Sequence, residues 1–251
     1  MTANWPKLIL KNFDRASHSY NQGASLQIFF SDKLAKYCSK QIIEPGLWVD
    51  LGSGTGLLAD AIEKNNPNQR VLRVDGSKRM LQQHSHNKST QLFNLNDGLP
   101  KWKEPPKLLA SSFTLHWLNH PEKRLKEWFA ALAPGGWLAL ALPVKGSFPE
   151  WHNAAKRANV TCTAITFPCQ NSLLKAIPKK HIKFHTVEIY YQEKPRITSL
   201  LKPLVQVGAQ ASPHQMLTIR EWRKLEASWS LSSKRNCFKL SWSIQILLAR
   251  K

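Results

Sequence analysis

Val49-Asp50-Leu51-Gly52-Ser53-Gly54-Thr55-Gly56 is the stretch on which the fold turns. Residues 48–51 read as a short buried strand that carries an acid near its end, and three alternating glycines follow at once. Leu57-Leu58-Ala59-Asp60-Ala61-Ile62 then begins a helical apolar rhythm. Glycine lets such a turn take positive φ and lets the backbone approach a ligand closely. The G-x-G-x-G spacing differs from the G-x-G-x-x-G that seats a pyrophosphate on a helix N-terminus, and the acid would repel a phosphate. Strand, turn and acid suit a ligand that joins an adenosine to a positive charge.

Outward from the turn, strands and helices alternate. Residues 70–75 read as a second strand ending in Asp75, an acid placed where both ribose hydroxyls can be bound. Ser77 is the expected N-cap of the next helix, in which Met80 is read as core, with contact to an adenine as the other reading. A third strand runs from Gln91 into a turn at 96–100, and a fourth covers 107–113. A helix over 125–132 is stopped by Ala133-Pro134-Gly135-Gly136, and a fifth strand covers 137–142. Residues 184–191 alternate as a strand. Residues 199–209 read as a helix that Pro203 should kink or interrupt. A capped helix over 217–225 and a last strand over 240–249 complete the chain. Ahead of the first strand, residues 13–37 predict helices able to fold over the carboxyl ends of the strands.

At 251 residues, 42% hydrophobic and 21% charged, the chain has a globular balance and the length for one large core with a cap. No apolar run is long enough to span a bilayer, and the amino terminus has no secretion-signal pattern, so a cytoplasmic protein is expected. Cys38, Cys162, Cys169 and Cys237 are scattered and read as reduced thiols, with no metal site. Lys+Arg 36 against Asp+Glu 16 gives +20, which favours an anionic partner: nucleic acid, an acidic carrier protein or a membrane surface. A simple preference for lysine is the bland reading. Acids are absent between Glu150 and Glu188, where Lys156, Arg157, Lys175, Lys179, Lys180 and Lys183 fall. They are absent again after Glu226, where Lys234, Arg235, Lys239, Arg250 and Lys251 fall.

The string V-D-L-G-S-G-T-G resembles motif I of the class I S-adenosylmethionine-dependent methyltransferases, and L-A-P-G-G-W-L at 132–138 is similar to a pattern found throughout them. The opening FDRASHSYNQGASLQ resembles that of the malonyl-[acyl-carrier-protein] O-methyltransferases of biotin synthesis, with their F-x-x-A-x-x-Y-x-x-x-A-x-L-Q. S-S-F-T-L-H-W-L, with His116 in place of that family's usual Gln, and G-S-F-P-E-W extend the resemblance nearly end to end.

The resemblance implies an α/β fold: a Rossmann-like sheet, mostly parallel with an antiparallel last strand, and helices on both faces. It implies one methyltransferase domain, with lid helices over 1–44, a cofactor-binding core over 45–145 and a basic cap insertion between strands 5 and 6 over 146–183. Residues 184–251 would complete the sheet. S-adenosylmethionine is the implied cofactor, held by Gln27, Asp50, Gly52, Ser53, Gly54, Gly56, Asp75, Asn96 and Ser111. Asn94, Asn96 and Asp97 compete for the adenine contact.

Tyr20 is implied beside the methyl donor and the substrate, and Trp117 in the wall of the acyl pocket. His116, with no proton to remove, reads as hydrogen-bonding or structural. The implied reaction methylates the free carboxylate of malonyl-acyl carrier protein in early pimeloyl synthesis. The basic insertion would dock the acidic carrier and lend a Lys or Arg to the second carboxylate oxygen. The alternatives are a small-molecule carboxylate methyltransferase, an RNA or tRNA methyltransferase, and a non-catalytic binding protein on the same scaffold. No Asn/Asp-Pro-Pro-Tyr/Phe base-methylation motif occurs, and neither a specific nucleic acid nor a membrane is expected as partner.

Overall fold

A computed structural model of the chain describes residues 5–211, 216–232 and 236–251. Three helices come first: α1 (Trp5–Ala16), α2 (Tyr20–Gly23) and α3 (Ser25–Ser39). The next elements are β1 (Trp48–Leu51), α4 (Leu57–Asn65), β2 (Val71–Asp75), α5 (Lys78–Leu81), β3 (Thr90–Leu92) and β4 (Leu108–Ser112). Then come α6 (Pro121–Ala131), β5 (Trp137–Pro143), α7 (Pro149–Ala158), α8 (Gln170–Lys175) and β6 (Ile182–Lys194). The last are α9 (Ile197–Gln206), α10 (Ile219–Ala227) and β7 (Phe238–Arg250).

The described strands form one sheet in the order β3-β2-β1-β4-β5-β7-β6. β1 to β5 pair in parallel, and β7 runs antiparallel to both β5 and β6. This is the expected α/β architecture. From β1 the chain moves outward to β2 and β3, then returns to the other side as β4. Such a reversal opens a crevice at the carboxyl ends of β1 and β4.

The two-residue period of the strands sorts the core. Trp48, Leu108, Ala110, Ala139 and Ala141 pack with Phe30 and Leu34 of α3 and Ile62 of α4 on one face. Val49, Leu51, Leu109, Leu138 and Leu140 pack with Leu125, Trp128 and Leu132 on the other. The same alternation decides which side chains can reach a site above either face.

Three local expectations change. α6 begins at Pro121, ahead of its first buried apolar residue, because proline with its preset φ serves the first turn. The third strand is only Thr90–Leu92, and a 3-10 turn follows at Leu95–Asp97. α9 runs through Pro203 to Gln206 without interruption; a proline there removes only the N–H that the Ser199 carbonyl would accept. Lys234 and Arg235 lie outside the described residues.

A charged cluster unforeseen in the sequence lies behind the glycine turn. Arg73 of β2 is fully buried and donates to both Glu63 oxygens at 3.1 and 3.0 Å, to Asp60 at 2.6 Å and to the Val71 carbonyl at 3.0 Å. Burial alone would raise the Glu63 pKa, yet the bonds from Arg73, Lys88 and the Val71 N–H bring it down to about 2. The cluster fastens α4 to β2. Arg73→Ala would leave Glu63 buried without its main counter-charge, so a loss of about 3 kcal/mol of unfolding free energy is expected in urea titrations. A variant as stable as the wild type would show the cluster to be ornamental.

Candidate active site

The turn after β1 is built on three left-handed glycines, Gly52 (φ 73°), Gly54 (φ 53°) and Gly56 (φ 98°). A Cβ at Gly52 would lie 2.2 Å from the Thr114 side chain, whereas one at Gly54 would meet nothing within 4 Å. Gly52 therefore serves close packing, and Gly54 presents a bare backbone to open space. Asp75 fixes this turn: its Oδ2 accepts from the Gly54 N–H at 2.8 Å and its Oδ1 from the Ser77 N–H at 2.7 Å. Ser77 caps α5 by accepting from the Met80 N–H, and its hydroxyl donates to Asp14 of α1 at 2.5 Å. Through these bonds the amino-terminal helix closes over the end of the sheet. Asp50 is buried, and its Oδ2 accepts from the Ala59 N–H at 3.1 Å in the first turn of α4.

Two cavities meet above the crevice. A narrow one of about 80 Å³ has Gly54, Asp75, Asn94, Asn96 and Ser112 in its walls and Ile9, Leu10 and Phe13 of α1 as its roof. A small cleft beside it brings together Tyr20, Gln27, Asp50, Ser53 and Ser112. The wider cavity, of about 500 Å³, is walled by Phe148, Phe167, Trp222, Trp242, Leu204 and other apolar side chains. Phe13, Tyr20, Phe113 and Trp117 line both the narrow and the wide space.

Of the residues singled out from sequence, Tyr20, Gln27, Asp50, Gly52, Ser53, Gly54, Asp75, Asn96 and Trp117 thus gather around one locus. Two do not. Gly56 lies at the N-cap of α4, where a Cβ would press on the His84 ring at 2.7 Å, so its role is packing. Ser111 is buried on the opposite side of β4, where its hydroxyl donates to the Leu51 carbonyl at 2.7 Å. Strand alternation turns its neighbour Ser112 toward the cavities instead, with a hydroxyl that has no protein partner. Asp97 is exposed and drops out of the adenine competition. Asn94 and Asn96 both stay, Asn94 capping the 3-10 turn and Asn96 accepting from the Asn119 N–H at 2.8 Å.

Sequence reasoning missed Asp14, Ser112 and Thr114, the last donating to the Gly52 carbonyl at 3.0 Å. The residue types carried no signal for Asp14 and Thr114. Counting alternate positions along β4 from Leu108 would have found Ser112.

The electrostatics are those of a pocket for a cation. Burial, above all, raises Asp50 to about 7 and raises Asp75 as well. Burial first, then the charges of Asp75 and Asp50, raise Tyr20 above the ordinary phenol range, so it stays a hydrogen-bond donor. No Lys or Arg occurs among the described lining residues of the three spaces. Buried carboxylates, a bare glycine face and the unpartnered Ser53 and Ser112 hydroxyls fit a ligand with hydroxyls and positive charge, and would disfavour a phosphate.

Residues 49–138 match the family model of a methyltransferase domain. The chain carries a methyltransferase domain of the class I fold, with S-adenosylmethionine as its cofactor. This methyltransferase is 25% identical over 211 residues to the malonyl-[acyl-carrier protein] O-methyltransferase of Xylella fastidiosa (strain M23), covering 80% of this chain and 71% of that one. It is 36% identical to the trans-aconitate 2-methyltransferase of Paracidovorax citrulli (strain AAC00-1) over 98 residues, 38% of each chain. The same fold is seen in a SAM-dependent methyltransferase of Thermotoga maritima, at a TM-score of 0.54 and 17% identity over 97% of this chain and 99% of that one.

A positively charged ligand beside Asp50 favours its ionised form. Affinity for S-adenosylmethionine is therefore expected to rise between pH 6 and pH 8 as Asp50 titrates near 7, with a proton released on binding. Calorimetry in buffers of different ionisation enthalpy reads that proton, and Asp50→Asn should abolish it. An affinity independent of pH in the wild type would sink the assignment.

Proposed function

We propose that the methyltransferase esterifies the free carboxylate of a malonyl thioester borne by acyl carrier protein, an early step in building the pimeloyl chain of biotin. The observation that carries this reading is the wide apolar cavity abutting the acid-lined one across Phe113 and Trp117. An acyl thioester has an apolar body and a single carboxylate, which such a wall can take. Trans-aconitate, the substrate named for other relatives, would bring three carboxylates against side chains among which the described residues include no Lys or Arg. Burying unpaired charge is expensive, and this weighs against the small-molecule reading.

In this reading S-adenosylmethionine supplies an electrophilic methyl group on a positively charged sulfur. Asp75 and Asn96 or Asn94 hold its nucleoside, and Asp50 and Gln27 flank its charged end. Tyr20, kept protonated, donates a hydrogen bond where the two cavities join. Phe13, Phe113 and Trp117 exclude water there, which strengthens attraction between opposite charges. A carboxylate is ionised at neutral pH, so no general base is needed; alignment and desolvation do the work.

In this reading the carrier docks beside the mouth of the wide cavity, away from the last lysines of the basic insertion. Ile182 is level with Ala249 and Leu138, at the amino ends of the parallel strands. Pro143 and Trp242, which line the wide cavity, are five and seven residues further along the sheet, about 17 and 23 Å. Lys179, Lys180 and Lys183 therefore stand at the wrong end. The wide cavity reaches the surface at Val205, Met216 and Ile219, and the exposed Lys202, Arg220 and Arg223 flank that opening on α9 and α10. An acidic carrier suits this rim.

Labelled methyl transfer should appear on malonyl-acyl carrier protein and not on trans-aconitate or bulk tRNA, with the label released by mild base as methanol. Transfer to tRNA alone would overturn the reading. Arg220→Glu with Arg223→Glu should raise KM for the malonyl carrier about tenfold while leaving malonyl-pantetheine unaffected. Lys179→Glu with Lys180→Glu should change neither, and an equal effect of both pairs would refute the rim.

A further inference from the structure

Two buried ring nitrogens in the lining of the wide cavity have no partner among the described residues, Trp151 Nε1 and His116 Nδ1, and the second belongs to the neighbour of Trp117. His116, in the turn after β4, is 7% exposed and lines this cavity among the rings of Phe113, Trp117 and Phe167, with centroids 6.4, 4.9 and 5.6 Å away. Its Nδ1 makes no hydrogen bond. Leaving such an atom dry is costly, and a ligand that bonds to it recovers that cost. Burial also pushes the ring's pKa down to about 3, so it is neutral at any physiological pH. The next residue, Trp117, faces both cavities, which puts His116 near their junction rather than at the mouth.

We infer that His116 selects and orients the acceptor, its uncharged ring donating a hydrogen bond to the carboxylate oxygen that is not methylated. This rests on the carboxyl methylation proposed above. The reason for a neutral donor lies in the charge change. Methylation turns a carboxylate into an uncharged ester, so a cation beside it would stabilise the acceptor before reaction more than during it. Such a cation would tighten binding and slow turnover. A neutral N–H bonds the acid and the developing ester alike, and so keeps the orientation without that penalty. The absence of Lys and Arg from the described lining residues agrees with this division: orientation comes from hydrogen bonds, and the wall stays uncharged.

The test compares His116→Leu, His116→Gln and His116→Arg on whichever of malonyl-acyl carrier protein and trans-aconitate the wild type methylates. S-adenosylmethionine affinity is measured separately by calorimetry. His116→Leu should raise the acceptor KM about tenfold with a much smaller change in kcat, and His116→Gln should restore most of the loss. His116→Arg should lower kcat without raising KM. Cofactor affinity should be unchanged in all three. A wild-type KM in His116→Leu overturns the inference, as does a loss of cofactor binding equal to the loss of acceptor binding, which would mark a structural role. Activity on trans-aconitate without activity on the malonyl carrier overturns only the proposed substrate, and the variants are then judged on trans-aconitate. Methylation of neither overturns both.

Discussion

One carboxylate holds the functional end of the sheet together. Asp75 takes the Gly54 N–H on one oxygen and the Ser77 N–H on the other, so the turn after β1 and the turn after β2 are fixed to the same group. Ser77 passes the constraint on to Asp14 of the amino-terminal helix. An acid that accepts backbone N–H groups keeps lone pairs facing the cavity, and so can orient the loops and still receive hydroxyl donors. The bare face of Gly54, the depth of the narrow cavity and the seat of α1 all depend on it.

Charge is divided along the molecule. The chain carries +20, yet its cavities gather Asp50 and Asp75 and have no Lys or Arg among their described lining residues. Cations lie outside, on solvated helix faces and at the cavity opening, or paired in the cluster around Arg73. Such an interior suits a positively charged cofactor, and in the proposed function its apolar wall takes the acyl body while the surface meets the acidic carrier. Net charge read from composition described only the second of these.

The core of the site was legible because it is local. Val49 to Gly56 carries its strand, its turn and its acid within eight residues, and Asp75 follows after one helix; propensity and glycine chemistry suffice for both. Tyr20, Gln27 and Trp117 were found by likeness to a family, since nothing in a lone tyrosine or tryptophan announces a cavity. The Ser111 assignment failed by a single residue, for a one-step shift along a strand sends the side chain to the other face. The basic insertion is spread out for another reason: Phe148, Trp151 and Phe167 line the wide cavity, but the chain then runs on to Ile182 at the amino ends of the parallel strands.

The sequence by itself determined the fold class, the glycine turn and the two acids that line the cavities beside it, because short-range backbone chemistry encodes them. Only the tertiary structure decided which serine points inward, which cations border the opening, that Arg73 is buried among carboxylates and that His116 stands unpartnered in an apolar wall. Each of these depends on strand register or on segments far apart in the chain coming together, and neither residue type nor spacing carries that information.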